Sequence, residues 1–125
     1  FSIKKSESQT LIFDGAHNAA AMHTVLHSID QHFPQEPLQA IIGVQKTKDI
    51  TTLVPPLLER VSQLYYYAFD ESTHDYQTIQ DHYPHIKIYE WTPNTPLPNA
   101  KLLLITGSLY YLKTMQAYAE KANLS

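Results

Sequence analysis

The chain has 125 residues, a hydrophobic content of 43% and a net charge of -3 at pH 7, values typical of one domain with a single core. With nine Lys and Arg in total and no basic run, it lacks the electrostatic basis for binding nucleic acid or an anionic membrane. Because no apolar run is long enough to span a membrane and the N-terminus does not have the pattern of a signal peptide, we expect a cytoplasmic location. The absence of cysteine excludes disulfides, thiolate metal sites and a cysteine nucleophile.

The first predicted elements are strands. Residues 1–5 are interpreted as an added strand, antiparallel at the edge of a sheet. The three glycines then each end an apolar, β-rich run, at residues 11–15, 40–43 and 102–107. Continuous apolar runs are typical of strands buried on both faces, as in a parallel sheet. A glycine at the carboxyl end permits a sharp turn or a close approach to a ligand.

Each of these three runs is followed by apolar residues at helical spacing. Pro34 ends the first predicted helix. A cap at Thr51 and Thr52 begins the second, which places Pro55 and Pro56 near its first turn. Ser108 caps the third. The apolar residues of the three helices are, in order, Met22, Val25, Leu26, Ile29 and Phe33; Ile50, Leu53, Val54, Leu57, Leu58 and Val61; and Leu109, Leu112, Met115 and Ala119.

The segment between the second and third helices completes the pattern. It contains a strand at residues 64–68, a short helix at 76–83, a strand at 86–89 and a loop at 91–100. Alternating strands and helices form right-handed crossovers. We therefore predict one α/β domain over residues 1–125, with a Rossmann-like, open, mostly parallel sheet of about six strands and helices on both faces.

Ligands of open α/β sheets bind outside the carboxyl ends of the strands, so the polar residues beside the three glycines are the first candidates for a site. They are Asp14, His17, Asn18, Lys46, Lys48, Asp49, Thr106 and Ser108. The turn at residues 14–18 places a carboxylate, an imidazole and an amide together, where Asp14 could accept ribose hydroxyls while His17 and the helix N-terminus face phosphate oxygens. Alternatively, Asp14 and Asn18 cap the helix and His17 is a surface residue.

Three segments resemble one family. LIFDGAHN at residues 11–18 is similar to the signature of folylpolyglutamate synthases, although Ala19 stands where a Pro usually follows. IIGVQKTKDI at residues 41–50 resembles the family's Gly-Val-x-x-x-Lys-Asp segment, and ITGSLYYL at residues 105–112 resembles its Thr-Gly-Ser-Leu-Tyr segment. The chain is thus identified as resembling the C-terminal domain of a folylpolyglutamate or dihydrofolate synthase of the Mur ligase superfamily.

The resemblance implies ligation through an acyl phosphate. ATP would phosphorylate the carboxylate of a folate or dihydropteroate, and the amine of glutamate would then displace phosphate. It further implies that Asp14 and Asn18 contact the nucleotide, that His17 is the catalytic residue near the reacting phosphate or glutamate, and that Ser108 holds glutamate. The domain would act as a lid that excludes water from the intermediate.

The sequence contains no Gly-x-x-x-x-Gly-Lys-Ser/Thr loop to bind the phosphates of ATP. The resemblance therefore implies a partner, the N-terminal ATP-binding domain of the same polypeptide, which carries that loop and the magnesium ligands. ATP and Mg are expected in the longer enzyme, whereas this chain alone is expected to be inactive and to bind no cofactor strongly.

Other interpretations remain open. A peptidoglycan-precursor Mur ligase usually carries Tyr, Ser or Cys where Gly15 and Ala16 stand, and a non-catalytic binding domain could keep the same sheet. Metal-like helical spacing at His23, His27 and Asp30 is more typical of an exposed polar face.

Three further features have competing interpretations. Tyr65, Tyr66 and Tyr67 could stack on a base or pterin, but are more typical of core and sheet surface. Lys46, Lys48 and Asp49 could aid nucleotide binding or form a solvated loop. Without a Gly-x-Ser-x-Gly turn, Ser108 is interpreted as a cap or substrate contact rather than a hydrolase nucleophile.

Overall fold

A computed structural model describes residues 1–124 of the chain, and the side chains of all of these except residues 109, 110 and 122–124. Strands and helices alternate after an initial pair of strands, except that the last two strands follow each other with only a loop between them. The strands are β1 (Ser2–Lys5), β2 (Thr10–Asp14), β3 (Gln39–Ile42), β4 (Gln63–Tyr66), β5 (Ile88–Glu90) and β6 (Leu102–Thr106). The helices are α1 (Ala19–His32), α2 (Ile50–Arg60), α3 (Tyr76–His82) and α4 (Leu109–Leu124).

The six strands form one sheet in the order β1-β2-β6-β3-β4-β5. Only β1 is antiparallel, and it lies at the edge beside β2. The other pairs are parallel. The structure thus confirms the predicted open, mostly parallel sheet and the antiparallel edge strand.

Helices cover both faces of the sheet, as predicted. On one face, α1, α2 and Ile79 of α3 pack against the side chains of alternate strand residues, including Ile12, Ile42 and Leu104. On the other face, α4 packs through Tyr111, Leu112, Met115 and Ala119 against a second set that includes Phe13, Ile41 and Ile105. Trp91 extends this second cluster and donates from Nε1 to the Pro96 carbonyl oxygen at 3.0 Å, which anchors the predicted loop.

The predicted cap of α2 is wrong. Asp49 is the N-cap, because its carboxylate accepts from the Thr51 amide at 2.9 Å and from the Thr51 hydroxyl at 2.6 Å. The helix therefore begins at Ile50, before the predicted Thr51 and Thr52 cap. Pro55 and Pro56 consequently lie inside the helix rather than in its first turn, where proline removes a backbone hydrogen bond.

The predicted cap of α4 is confirmed. The Ser108 hydroxyl oxygen lies 3.2 Å from the Tyr111 amide, and the Ser108 carbonyl oxygen accepts from the Leu112 amide at 2.9 Å. Within the described part of the chain, no helix is both long and apolar enough to cross a membrane.

Candidate functional site

Three central strands end at the same edge of the sheet. In the register of β2, β6 and β3, Thr106 stands between Asp14 and Ile42. The chain runs from β2 past the position of β6 to β3 and on to β4 and β5, and then returns to form β6 between β2 and β3. The direction of the connections thus reverses here, which makes this edge the topological switch point of the sheet. Ligands of open α/β sheets bind at such points.

A small cavity of about 30 Å³ lies between the loops that follow these strands. It is lined by Ala16, His17, Gly43, Val44, Gln45, Lys48, Leu53, Gly107 and Ser108. Two larger open grooves lie elsewhere, one of about 500 Å³ along α4 and one of about 390 Å³ beside the β1–β2 turn. Neither is lined by any of the residues that the sequence predicted for the site. We therefore assign the candidate site to the small cavity, where all three motif segments meet.

Two glycines allow the loops to approach each other at this cavity. A Cβ atom on Gly43 would lie 2.8 Å from the Tyr67 carbonyl oxygen. A Cβ atom on Gly107 would lie 2.5 Å from the Tyr111 ring and 3.0 Å from the Gly43 carbonyl oxygen, and Gly107 has a φ of 157°. A side chain at either position would push the loops apart.

The cavity is electrostatically suited to an anionic group. Helices α1, α2 and α4 begin in the loops that line it, and the N-terminus of a helix favours negative charge. Lys48 adds a positive charge, and the exposed His17 imidazole and the Ser108 hydroxyl add hydrogen-bonding groups. A carboxylate or phosphate oxygen would find complementary partners here.

Two of the four residues predicted for the site line the cavity, and the other two do not. His17 and Ser108 line the cavity, whereas Asp14 and Asn18 do not. The Asn18 side-chain oxygen accepts from the Ala21 amide at 2.8 Å and caps α1. The Asp14 carboxylate is partly buried and lies 3.1 Å from the backbone nitrogen of Phe1. The capping alternative is thus confirmed for Asn18 but not for Asp14.

The loops after β3 and β4 are joined in a way that the sequence did not indicate. The Lys46 amide donates to the Ser72 carbonyl oxygen at 2.8 Å, and the His74 amide donates to the Val44 carbonyl oxygen at 2.9 Å. Between these bonds, Gln45 and Thr73 form an antiparallel bridge. This joint holds the loop that carries Gln45 and Lys48 against the cavity.

The side chain of Tyr66, in the core, forms hydrogen bonds with both of these loops. Its buried hydroxyl donates to the His74 carbonyl oxygen at 2.6 Å and lies 3.4 Å from the Val44 amide nitrogen. Burial raises the pKa of Tyr66 to about 12, so the hydroxyl remains a donor well above neutral pH. Sequence reasoning missed this role, because nothing local distinguishes the three consecutive tyrosines.

The three candidate residues of the β3–α2 loop, Lys46, Lys48 and Asp49, also differ in whether they reach the cavity. Lys48 lines the cavity, whereas Lys46 is exposed and outside it. Asp49 is engaged in capping, and its hydrogen bonds from Thr51 lower the pKa of its carboxyl group below the usual value. Of the three, Lys48 is therefore the residue placed to contact a ligand.

The alternative metal site is not supported. His23 and His27 are exposed on α1, and the Asp30 carboxylate lies 2.7 Å from Nε of Arg60. Within residues 1–124, no group of three His, Cys, Asp or Glu side chains could hold a metal ion. As expected for core and sheet surface, Tyr66 is buried and Tyr65 is half-buried.

Solved structures share this fold. A bifunctional folylpolyglutamate synthase/dihydrofolate synthase from Yersinia pestis, complexed with AMPPNP and Mn, is 21% identical with a TM-score of 0.76, covering 92% of this chain and 30% of that one. Thermotoga maritima folylpolyglutamate synthase is 18% identical with a TM-score of 0.79, covering 94% and 29%. E. coli FolC in complex with ADP is 19% identical with a TM-score of 0.76, covering 96% and 31%.

The chain thus spans about 30% of the length of these solved relatives. A comparison with curated proteins gave no match. The family model of the dihydrofolate synthetase C-terminal domain matches residues 1–75, which is more than half of the chain and includes two of the three motif segments. The chain therefore belongs to the family of the dihydrofolate synthetase C-terminal domain.

Proposed function

We propose that this chain is the C-terminal domain of an ATP-dependent ligase that adds glutamate to a folate or dihydropteroate. Family membership and the shared fold of folylpolyglutamate synthases support this proposal. The observation that carries it is the cavity at the switch point, because it unites residues from all three motif segments around a space suited to an anionic oxygen. Such oxygens belong to the substrates of this reaction, which are carboxylates and phosphates.

The reaction would proceed in two steps. ATP phosphorylates the carboxylate of the pterin substrate, and the amine of glutamate then attacks the acyl phosphate and releases phosphate. In this scheme, His17 and Lys48 stabilise negative charge at the edge of the reacting centre, and Ser108 orients glutamate. An acyl phosphate is easily hydrolysed, so a domain that closes over it protects it from water.

The nucleotide and the metal would be held chiefly by the rest of the longer protein. The 125 residues contain no phosphate-binding loop, and residues 1–124 offer no group of three metal ligands. What this domain can contribute is the Asp14 carboxylate at the end of β2, which can accept hydrogen bonds from ribose hydroxyls. Asn18 was also predicted to contact the nucleotide, and its amide nitrogen would be the group for that contact, since its oxygen caps α1.

A pair of histidine variants tests the proposal. In the longer protein that carries this domain, His17→Ala should lower the rate of glutamate ligation by about 100-fold, a typical loss for a residue that assists proton transfer or charge stabilisation. His23→Ala is the matched control, because His23 is also exposed but lies on α1 away from the cavity. The measurement is glutamate-dependent phosphate release. Equal rates in the two variants, or no ligation by the wild type, would contradict the proposed function.

A further inference from the structure

The β3–α2 loop forms much of the cavity wall and is itself largely exposed. It contributes four of the residues that line the cavity, namely Gly43, Val44, Gln45 and Lys48. Residues 46–49 are exposed. An exposed loop has few buried contacts to hold it, so its order depends on hydrogen bonds to neighbouring segments. The shape of the cavity wall therefore depends on the contacts that hold this loop.

His74, in the β4–α3 loop of residues 67–75, contacts the β3–α2 loop near both of its ends. Its backbone amide donates to the Val44 carbonyl oxygen at 2.9 Å. Its imidazole Nε2 lies 3.3 Å from the carbonyl oxygen of Lys48, the residue directly before the N-cap of α2. A carbonyl oxygen only accepts hydrogen bonds, so Nε2 must carry the hydrogen, as it does in one neutral tautomer and in the imidazolium. One residue thus connects the start and the end of the segment that lines the cavity.

The backbone of His74 is anchored, so its imidazole has a fixed base from which to hold the loop. The His74 carbonyl oxygen accepts from the buried Tyr66 hydroxyl at 2.6 Å. The next residue, Asp75, is the N-cap of α3 and accepts from the Thr78 amide at 2.8 Å. The chain around the imidazole is therefore tied both to β4 and to α3.

The other hydrogen bonds of the β3–α2 loop do not replace this contact. The Lys46 amide donates to the Ser72 carbonyl oxygen at 2.8 Å, which joins the two loops at their middle. The Lys48 amide donates to the Gln45 carbonyl oxygen at 2.9 Å, which closes a turn within the loop. Among the hydrogen bonds of the described residues, the one that joins Lys48 to the β4–α3 loop is that of the His74 imidazole.

We propose that His74 is a positioning residue, whose imidazole fixes the end of the β3–α2 loop and so keeps Gln45 and Lys48 at the cavity in the arrangement that binds substrate. A loop that is ordered in advance binds more tightly, because its conformational entropy is not lost again with each ligand. His74 acts through the backbone of Lys48, since it is not among the residues that line the cavity. The effect on substrate binding rests on the proposed function, whereas the effect on the loop does not.

The first part of the test measures the order of the loop in the 125-residue chain. In His74→Ala, amide hydrogen exchange at Lys48 should become about tenfold faster or more. Exchange at Lys46 should stay within about threefold, because the backbone bonds between the loops remain. His74→Gln keeps a donor near the position of Nε2 and should restore slow exchange at Lys48. His32→Ala is the matched control and should change neither rate, since the His32 imidazole also lies 2.8 Å from a carbonyl oxygen, that of Ser28 on α1.

Three exchange results would overturn the proposal. Unchanged exchange at Lys48 in His74→Ala would show that the imidazole does not hold the loop. Equal acceleration at Lys46 and Lys48 would show that the substitution loosens both loops without a specific effect at the end of the β3–α2 loop. Fast exchange at Lys48 in His74→Gln would show that the donor at Nε2 is not the group responsible.

The second part measures glutamate ligation in the longer protein that carries this domain. We expect His74→Ala to raise KM for ATP or for glutamate by about tenfold with kcat within about threefold of wild type, and His74→Gln to restore KM. A residue that only stabilises the fold would instead lower kcat, through the fraction of active enzyme, at unchanged KM. That result, or unchanged kinetics, would overturn the proposal. If the wild type does not ligate glutamate, the proposed function is contradicted, and the exchange rates at Lys48 still decide whether His74 positions the loop.

Discussion

Asp14 and Asn18 occupy the same turn and have different tasks. The Asn18 amide oxygen caps α1, whereas Asp14 makes no capping contact within the described residues. An N-cap side chain contributes about 0.5 to 2 kcal/mol to stability. Capping and ligand binding can therefore be tested separately in this turn.

Asp14→Asn should leave folding nearly intact and impair the proposed ligase activity. Asparagine keeps the size of the side chain but removes its charge and replaces one accepting oxygen, which the proposed contact with ribose hydroxyls requires, by a donating NH2 group. In the longer protein we expect the melting temperature to stay within about 2 °C, while ligation falls and the dependence on ATP changes more than the dependence on glutamate. Steady-state kinetics with each substrate varied in turn gives the measurement. Wild-type turnover would remove Asp14 from the nucleotide site.

Asn18→Ala provides the converse case. Loss of the cap should lower the free energy of unfolding by about 1 kcal/mol, because the Ala21 amide loses its partner. Urea denaturation of the 125-residue chain measures this loss, with Asp14→Asn as the control that leaves the cap in place. An unchanged midpoint in Asn18→Ala would contradict the assignment of the cap.

At the scale of elements, the joint between the β3 and β4 loops connects the candidate site to the core. Hydrogen bonds between the loops join residues 44–46 to residues 72–74, and the Tyr66 hydroxyl supports them from the core. A loop held in this way keeps Lys48 at the cavity without the entropy cost of ordering it for each ligand. Rigidity at the site thus depends on β4, a strand that contributes no residue to the cavity.

Tyr66→Phe should loosen this joint selectively. We expect a loss of about 1 to 3 kcal/mol, because the His74 carbonyl oxygen loses its hydroxyl partner in a buried setting. Amide hydrogen exchange at Lys46 and His74 should accelerate more than exchange in the central strands. Tyr76→Phe is the matched control, since the Tyr76 hydroxyl also donates to a carbonyl oxygen at 2.6 Å, that of Ile88 in β5. Equal acceleration in both variants would contradict a specific role for Tyr66.

On the scale of the whole molecule, the proposed function assigns only part of a site to this domain. Its cavity is small and its described residues provide neither a phosphate-binding loop nor a metal-binding cluster. If the proposed function is right, contacts around Asp14 and His17 alone must offset the entropy that ATP loses on association with this chain. We expect the 125-residue chain to fold, to hydrolyse no ATP, and to bind ATP with magnesium more weakly than micromolar.

Isothermal titration calorimetry and a phosphate-release assay test this expectation. Turnover of ATP that disappears in Asp14→Ala would show that the chain holds a complete active site. A micromolar or tighter dissociation constant for ATP would show that the main nucleotide site lies within these 125 residues. His23→Ala serves as the control for surface substitutions, because His23 is exposed on α1 and outside the cavity.

Local sequence patterns determined most of the fold. Continuous apolar runs ending in glycine specified the buried strands β2, β3 and β6, and helical spacing specified α1, α2 and α4, because burial and backbone conformation impose these patterns directly. The motif around Asp14 and His17, with the Ser108 segment, identified the edge of the sheet where a site should lie. Capping was predicted less well, since Asp49 and Thr51 are both good caps and only the path of the chain decides between them.

Tertiary structure alone decided which of these residues meet. Strand order places β6 between β2 and β3, and so brings Ser108 to His17 across about 90 residues of sequence. The role of Tyr66 likewise depends on neighbours that no local pattern specifies, namely Val44 and His74 in the loops after β3 and β4. A hydrogen bond between distant segments is fixed by packing of the whole sheet, whereas a strand or helix is already favoured by the spacing of its own residues.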